Sequence, residues 1–147
     1  MNFTFFGKKC IINFRIKGRR MKMVKDHESE EMYLETILRL KSTKPNLRSV
    51  DIVEALGYAK SSVSSAVNKL VRKGYISINN NGEISLTESG KQKADAVYER
   101  HRIITALFIK LGAEPQSAEQ NACRVEHVLT EDVFELIKQY VGKSERG

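Results

Sequence analysis

Three residue types that bind transition metals lie within five positions of this sequence, in the segment CRVEH at residues 123–127. Each residue of an α-helix advances by about 100°, so Cys123, Glu126 and His127 would share an arc of about 100°. A thiol, a carboxylate and an imidazole at positions i, i+3 and i+4 can converge on one ion. The segment therefore predicts either a metal site or an ordinary helix with a polar face. The apolar residues of the stretch are expected on the opposite, buried side of that helix: Ala122, Val125, Val128 and Leu129.

A methionine outside the apolar stripe of its own helix is a second unusual feature. The stripe of the first predicted helix is centred roughly 150° away from Met32, and Glu35 follows Met32 after one turn. His101 lies on a later predicted helix. Metal-binding side chains therefore occur on three predicted helices that could pack side by side. Core filling by Met32 and a solvated or core-edge position for His101 remain the alternatives.

The elements that must position these residues begin with three helices. The first helical pattern starts near Asp26 or Ser29, either of which could cap it, and stops at Lys44-Pro45. The second is predicted from Ser49, its expected cap, to just before Gly57. The third covers "KSSVSSAVNKLVRKG" and has one apolar stripe on its inner face: Val63, Ala66, Val67, Leu70 and Val71.

A change of period follows the third helix. The segments "YISI" and "EISL" alternate as strands do, and the residues between them, Asn79 to Gly82, are suited to a hairpin turn. A long helix is then predicted from about Thr87 to Leu111 and another from about Ser117 to Leu129. A last helix is expected after Thr130 as its cap. Three helices followed by a hairpin are typical of a winged helix-turn-helix DNA-binding domain.

The outer face of the third helix is suited to the major groove of DNA. Small hydroxyl side chains let a helix approach base edges closely, whereas lysine and arginine contact phosphates and position the protein without reading sequence. The alternative is that the serines only solubilise an exposed face. The candidate DNA contacts at this surface are Arg48, Ala59, Lys60, Ser61, Ser62, Ser65, Lys69 and Arg72.

The net charge of +7 does not by itself support DNA binding, because it is concentrated at one end of the chain. Residues 1–25 hold eight basic residues and no acidic one, so the remainder has 17 basic and 18 acidic residues. That arm is expected to be a disordered extension, with a nucleic-acid grip as the alternative. The two distant cysteines predict no disulfide framework and favour a reducing, cytoplasmic location. No continuous apolar run predicts a membrane span or a signal peptide.

Several segments together resemble the DtxR/MntR family, the iron-dependent repressors of the diphtheria toxin repressor type and the manganese-dependent regulators. They are "SEEMYLETI", the serine-rich third helix, "LTESGK", "YERHR", and "NACRVEHVL" followed by "TEDV". The resemblance runs from about Glu30 to Val141. It implies a mainly α chain, with a winged helix-turn-helix over residues 25–86 and a helical metal-binding and dimerisation domain over residues 87–147. Residues 1–24 would form the basic extension, and the SH3-like domain of longer members would be missing.

The same resemblance implies a mixed set of metal ligands. Met32, Cys123, Glu126 and His127 match the primary ligands of iron-type members, whereas Glu35 matches a ligand of manganese-type members. His101, Glu35 and Glu119 could hold a second ion, although Glu119 replaces a histidine of the family pattern and Thr105 replaces a glutamate.

The resulting expectation is a homodimeric transcriptional regulator that represses metal-homeostasis genes. It would bind a palindromic operator when loaded with a divalent transition metal, Fe(II) favoured over Mn(II), because thiolate and thioether ligands suit softer ions. The ion would join Met32 to Cys123, Glu126 and His127. No enzyme activity, small-molecule substrate or membrane partner is expected. The alternatives are a metal-independent winged-helix regulator and, more remotely, a zinc hydrolase.

Overall fold

The computed structural model describes residues 21–144, with side chains from 29 to 143, so the basic arm predicted before residue 21 lies outside the described residues. The described chain divides into two compact units, the first ending at Asp95 and the second beginning at Ala96. The elements in chain order are α1 (Met21–Thr43), α2 (Ser49–Leu56), α3 (Lys60–Arg72), β1 (Ile76–Ile78), β2 (Ile84–Leu86), α4 (Glu88–Lys110), α5 (Pro115–Val125) and α6 (Glu131–Ser144). None of the helices in this part of the chain is long and apolar enough to cross a membrane.

The first unit is organised around α1, which packs against α2, α3 and β2. The predicted stripe of α3 faces this core, with Val63, Val67 and Leu70 buried, but Val71 is 38% exposed and was wrongly assigned to it. The helix ends as predicted, because Gly74 takes a left-handed conformation with φ 75°. The mainly helical fold with a small hairpin is therefore confirmed.

The hairpin pairs its strands antiparallel, with Ile76 opposite Leu86 and Ile78 opposite Ile84. In the turn the Asn79 side chain accepts hydrogen bonds from the backbone N–H groups of Asn81 and Glu83, at 3.0 and 2.9 Å. The N–H of Ile84 also donates to the carbonyl of Leu47 at 2.7 Å. The hairpin, which is the wing of the predicted winged helix-turn-helix, is thereby joined to the segment that links α1 and α2.

Two helix starts differ from the sequence predictions. Helix α1 begins at Met21, so Asp26 and Ser29 lie inside it and neither caps it. Ser49 is the first residue of α2 and not its cap. The start of α2 is fixed instead by Asp51, whose carboxylate accepts a hydrogen bond from the Arg48 N–H at 2.8 Å.

The start of α4 depends on close contact with the wing. The Thr87 hydroxyl accepts a hydrogen bond from the N–H of Gly90 at 3.2 Å and donates to the carbonyl of Gly74 at 2.6 Å. A Cβ atom on Gly90 would lie 1.8 Å from the Tyr75 carbonyl oxygen, so only glycine fits there.

The second unit buries a small set of apolar side chains on α4, α5 and α6. These core residues are Val97, Ile104, Ala118, Ala122, Phe134 and Val141. Helix α6 follows Thr130 as predicted, but α5 ends at Val125 and not at Leu129. The segment 126–129 therefore forms a turn between α5 and α6, and two of the predicted metal ligands lie in it.

Candidate metal centre and DNA-reading surface

Glu126 is the central residue of the candidate metal centre in the second unit. Its side chain is 0% exposed, and its Oε2 atom lies 2.8 Å from Nδ1 of His101. Its Oε1 atom lies 3.1 Å from Nε2 of His127. The expectation of a solvent-facing carboxylate opposite a buried Val128 is therefore wrong, because Val128 is 62% exposed. Glu126 therefore faces the interior together with Ala122, whereas Val128 faces outward.

The electrostatics of this cluster favour an ionised carboxylate. Burial alone would raise the pKa of Glu126, but the imidazoles of His101 and His127 outweigh burial and lower it to about 2. A carboxylate that accepts the Nδ1–H of His101 also fixes the tautomer of that ring. In the neutral ring, the lone pair of Nε2 is then available to a metal ion.

Two buried atoms of the cluster have no hydrogen-bond partner among the described residues, and their surroundings fit a metal ion. They are Nε2 of His101 and Oε1 of Glu126. Two ligands at right angles on one ion, each bonded at about 2.1 Å, lie about 3 Å apart. The 3.1 Å between Oε1 of Glu126 and Nε2 of His127 matches that separation.

A cysteine sulfur and a second carboxylate lie close to the same imidazole. The ligand atoms of His101, Cys123 and Glu126 all lie within 4.8 Å of one another. Oε1 of Glu119, a half-exposed side chain on α5, lies 4.0 Å from Nε2 of His101. Ligands on opposite sides of one ion would be about 4.2 Å apart. The donor set around His101 therefore suits a divalent cation.

Cys123 differs from its expected reduced state, because its sulfur is in a disulfide in this structure. The other cysteine of the chain, Cys10, lies outside the described residues. Since the thiolate is the form that binds metals, Cys123 can serve as a ligand only after reduction. Experiments on the metal centre therefore require reducing conditions.

The two candidate ligands on α1 belong to the first unit and are described within it. Met32 packs partly buried against the core, which corrects the inference from its angular position, and its sulfur accepts a hydrogen bond from the Tyr58 hydroxyl at 3.6 Å. Glu35 is buried one turn later and forms an ion pair with Arg39 at 2.5 Å. No sequence signal indicated a role for Tyr58, because a single tyrosine after a helix forms no pattern.

The candidate DNA contacts on α3 and its flanks lie on an accessible face. Lys69 is half-buried and the other members of the set are exposed: Arg48, Ala59, Lys60, Ser61, Ser62, Ser65 and Arg72. The opposite face of α3 forms the core described above, so apart from the exposed Val71 the helix presents small polar and basic side chains outward. It also contains no acidic residue. No acidic side chain of α3 itself would therefore repel DNA phosphates along this face.

Lys73, the residue that follows Arg72 at the end of α3, has a different environment. It forms an ion pair with the buried carboxylate of Glu30, to which Lys93 also donates at 2.6 Å. Lys93 in turn lies 4.8 Å from the centre of the Tyr75 ring. This cluster joins α1, the end of α3 and the start of α4, so Lys73 stabilises the fold of the first unit.

Comparison with known proteins covers both halves of the chain. The family model described as the iron-dependent repressor N-terminal DNA-binding domain matches residues 27–83. The model of the metal-binding and dimerisation domain of the same family matches residues 87–146. The chain is also 30% identical over 118 residues to an uncharacterised HTH-type transcriptional regulator of Methanocaldococcus jannaschii, covering 79% of this chain and 94% of that protein. The chain belongs to the iron-dependent repressor family.

Two further relatives locate the chain within the iron-dependent repressors. It is 33% identical over 107 residues to the iron-dependent repressor IdeR of Mycobacterium tuberculosis, which covers 72% of this chain but only 46% of IdeR. The crystal structure of T. acidophilum IdeR aligns with a TM-score of 0.70 and 26% identity, covering 77% of this chain and 54% of the other. The chain thus spans about half the length of these relatives. The family consists of metal-dependent transcriptional repressors and not of enzymes.

Proposed function

We propose that this iron-dependent repressor family member binds a palindromic operator as a homodimer when loaded with a divalent transition metal, and thereby represses metal-homeostasis genes. The single observation that carries this proposal is the buried Glu126 carboxylate between two imidazoles. In this cluster Oε1 of Glu126 and Nε2 of His101 are buried without a hydrogen-bond partner among the described residues. A buried charge without complete hydrogen bonding is costly unless an ion accounts for it. A bound cation would supply the positive charge that such a cluster lacks.

The primary ligands we assign are Met32, Cys123, Glu126 and His127. His101 and Glu119 are proposed to hold a second ion, with Glu35 as a further ligand. The 4.0 Å between Nε2 of His101 and Oε1 of Glu119 supports this second assignment. Glu126 would contribute to both ions, by direct ligation and by orienting His101.

Fe(II) is the effector that this ligand set favours over Mn(II). Thiolate and thioether groups bind softer ions better than the hard Mn(II) ion, so Met32 and Cys123 both act against manganese. The ion is an effector only if it binds the DNA-competent arrangement more tightly than the other one. Metal affinity and operator affinity must then rise together.

DNA recognition is proposed to use the exposed face of α3 from each protomer. Two such helices, about one helical turn of DNA apart, would enter successive major grooves of a palindrome. Serine side chains make few bidentate base contacts, so the shape and deformability of the operator would supply part of the specificity.

A second copy of the chain is the partner that the surface of α6 supports. Its side chains Val133, Leu136 and Tyr140 are 39%, 65% and 57% exposed, whereas Phe134 and Val141 on the other side are buried. Exposed apolar residues at this spacing are characteristic of a face that packs against another helix. The family model for this half names dimerisation, which supports the same partner.

The decisive experiment is operator binding titrated anaerobically with Fe(II) and Mn(II) under reducing conditions. Wild-type protein, Cys123→Ala and Glu126→Gln are compared by fluorescence anisotropy, with a chelated sample as reference. We expect metal to raise operator affinity about 5- to 150-fold in the wild type, as an allosteric coupling free energy of about 1–3 kcal/mol implies, and to have no effect in Glu126→Gln. Equal operator affinity with and without chelator would instead identify a metal-independent winged-helix regulator.

The ligand assignment has its own test in the double substitution Met32→Asp and Cys123→Glu. Replacing both sulfur ligands with carboxylates should move the preference from Fe(II) toward Mn(II), because hard oxygen ligands suit manganese. The ratio of Mn(II) to Fe(II) concentrations that give half-maximal operator binding measures the change. An unchanged ratio would show that these two residues are not the ligands.

A further inference from the structure

The turn between α5 and α6 carries Glu126 and His127 without the support of a continuous helix. Helix α5 ends at Val125, so backbone carbonyls after its last turn lack helical partners. A ligand on such a turn keeps its position only if something else fixes the backbone. Metal affinity depends on that fixation, because a flexible turn must be ordered when the ion binds.

Arg100 supplies this fixation from α4. One terminal nitrogen of its guanidinium, Nη1, donates to the carbonyl of Glu126 at 3.0 Å and to that of Leu129 at 3.2 Å. Nη2 forms an ion pair with Glu131, the first residue of α6. The guanidinium carbon also lies 4.9 Å from the centre of the Phe134 ring. One side chain therefore contacts both ends of the turn and the helix that follows.

Arg100 is also adjacent in sequence to a second residue that holds the turn. It immediately precedes His101, whose Nδ1 is bonded to the carboxylate of Glu126. Two successive residues of α4 thus hold Glu126. Arg100 donates to the backbone carbonyl of Glu126, and His101 contacts its carboxylate. The guanidinium is planar, always charged and carries five N–H donors, so it can bind two carbonyls and a carboxylate together. A lysine ammonium in its place could not reproduce this fork.

We propose that Arg100 is a positioning residue of the metal centre, which presets the turn of Glu126 and His127 for the ion and joins it to α6. This inference rests on the proposed function, since it assumes that these residues bind metal. Residues that orient metal ligands from outside the coordination sphere typically change metal affinity 10- to 100-fold when they are substituted. Arg100 is expected to fall in that range.

The test is Co(II) binding to the full chain under anaerobic, reducing conditions, measured by calorimetry and by visible absorption. We expect Arg100→Ala to weaken Co(II) binding about 10- to 100-fold, with the shape of the absorption spectrum at saturation unchanged because the ligands remain the same. Arg100→Lys should recover only part of the affinity. The loss should be the same from pH 6.5 to 8, since arginine does not titrate there.

Two control variants separate positioning from general destabilisation. Arg102→Gln removes the neighbouring exposed arginine, which lies 6.0 Å from the Tyr98 ring and makes no described contact with the turn. Val97→Ala removes methyl groups from a buried site on α4 and should lower the melting temperature without a comparable loss of Co(II) affinity. Arg102→Gln should bind Co(II) as the wild type does.

Three results would overturn the inference. The first is Co(II) affinity of Arg100→Ala within twofold of wild type, and the second is an equal loss in Val97→Ala at matched melting temperature. In both cases wild-type metal binding would stand, so only the role of Arg100 would be rejected. If the reduced wild type itself bound no Co(II), the proposed function would fail together with the inference.

Discussion

Glu30 is a buried carboxylate whose ionisation supports the first unit. Burial raises its pKa, but hydrogen bonds from Lys73 and Lys93 outweigh burial, and the pKa lies below its ordinary value of 4.5. A carboxyl whose pKa is lower in the folded state than in the unfolded chain stabilises the fold at pH values above its unfolded-state pKa. That contribution is lost as the pH falls from about 4.5 through the folded-state pKa. The stability of this unit should therefore decrease on the acid side of pH 4.5.

Glu30→Gln tests this expectation at the residue scale. At pH 7 the substitution should lower the free energy of unfolding by about 1.5 to 3 kcal/mol, since hydrogen bonds to a charged group are lost. At pH 3 the difference from wild type should shrink, because the stabilisation that a lowered pKa provides decreases as the pH falls below the ordinary value of 4.5. Urea unfolding at both pH values measures the change, and Glu83→Gln on the wing is the control. A difference that did not depend on pH would contradict the assignment.

The residue scale also shows what the sequence could and could not predict about the metal centre. Residue types and spacing grouped Cys123 with Glu126 and His127; the structure brings the ligand atoms of Cys123 and Glu126 within 4.8 Å and those of Glu126 and His127 within 3.1 Å, and their role as metal ligands stays a prediction. The direction of Glu126 was wrong, since the angular argument assumed a helix that continued to Leu129. Its burial depends on His101, which lies 25 residues earlier, and sequence periodicity carries no information about such a contact.

At the scale of elements, α3 offers a prediction that separates two kinds of DNA contact. Arg72→Ala should weaken binding to operator and to unrelated DNA alike and reduce the slope of log K against log salt by about 1, as the loss of one phosphate contact implies. Ser62→Ala should leave the salt slope unchanged and weaken the operator more than unrelated DNA. Both variants are compared by anisotropy over a range of salt concentrations. A change of slope in Ser62→Ala, or none in Arg72→Ala, would contradict these roles.

Element types were more predictable than their ends. The apolar periodicity of α3 and the alternation of the hairpin are local signals of burial on one side, and both elements formed where predicted. Helix caps were assigned by residue type, which explains the error at Ser49. Asp51 fixes the start of α2 from inside the helix, and Lys44 holds the Asp51 carboxylate from outside it. A cap that depends on two partners is not visible in a single residue.

At the scale of the whole molecule, metal binding, dimerisation and operator binding are proposed to be thermodynamically linked. Arg100 contacts the ligand turn with one end of its guanidinium and the start of α6 with the other. The opposite side of α6 is the proposed dimer face. Order in the turn and order in the interface therefore depend on a shared element, and a palindromic operator requires two reading helices at fixed spacing.

Leu136→Glu should separate these linked events, because it places a charge at the centre of the apolar face of α6 without contacting the metal centre. Leu136 is 65% exposed in the single chain, so the monomer should fold and bind Co(II) as the wild type does. A buried, unpaired charge in the interface would be costly, and the dimer should dissociate. Operator affinity should then fall by 100-fold or more, on the order of the several kcal/mol that a second half-site contributes.

Sedimentation equilibrium measures dimerisation and anisotropy measures operator affinity. Gln139→Glu, which places an equal charge at an exposed polar position of α6, is the matched control. Dimerisation retained by Leu136→Glu, or lost equally in Gln139→Glu, would place the interface on another surface.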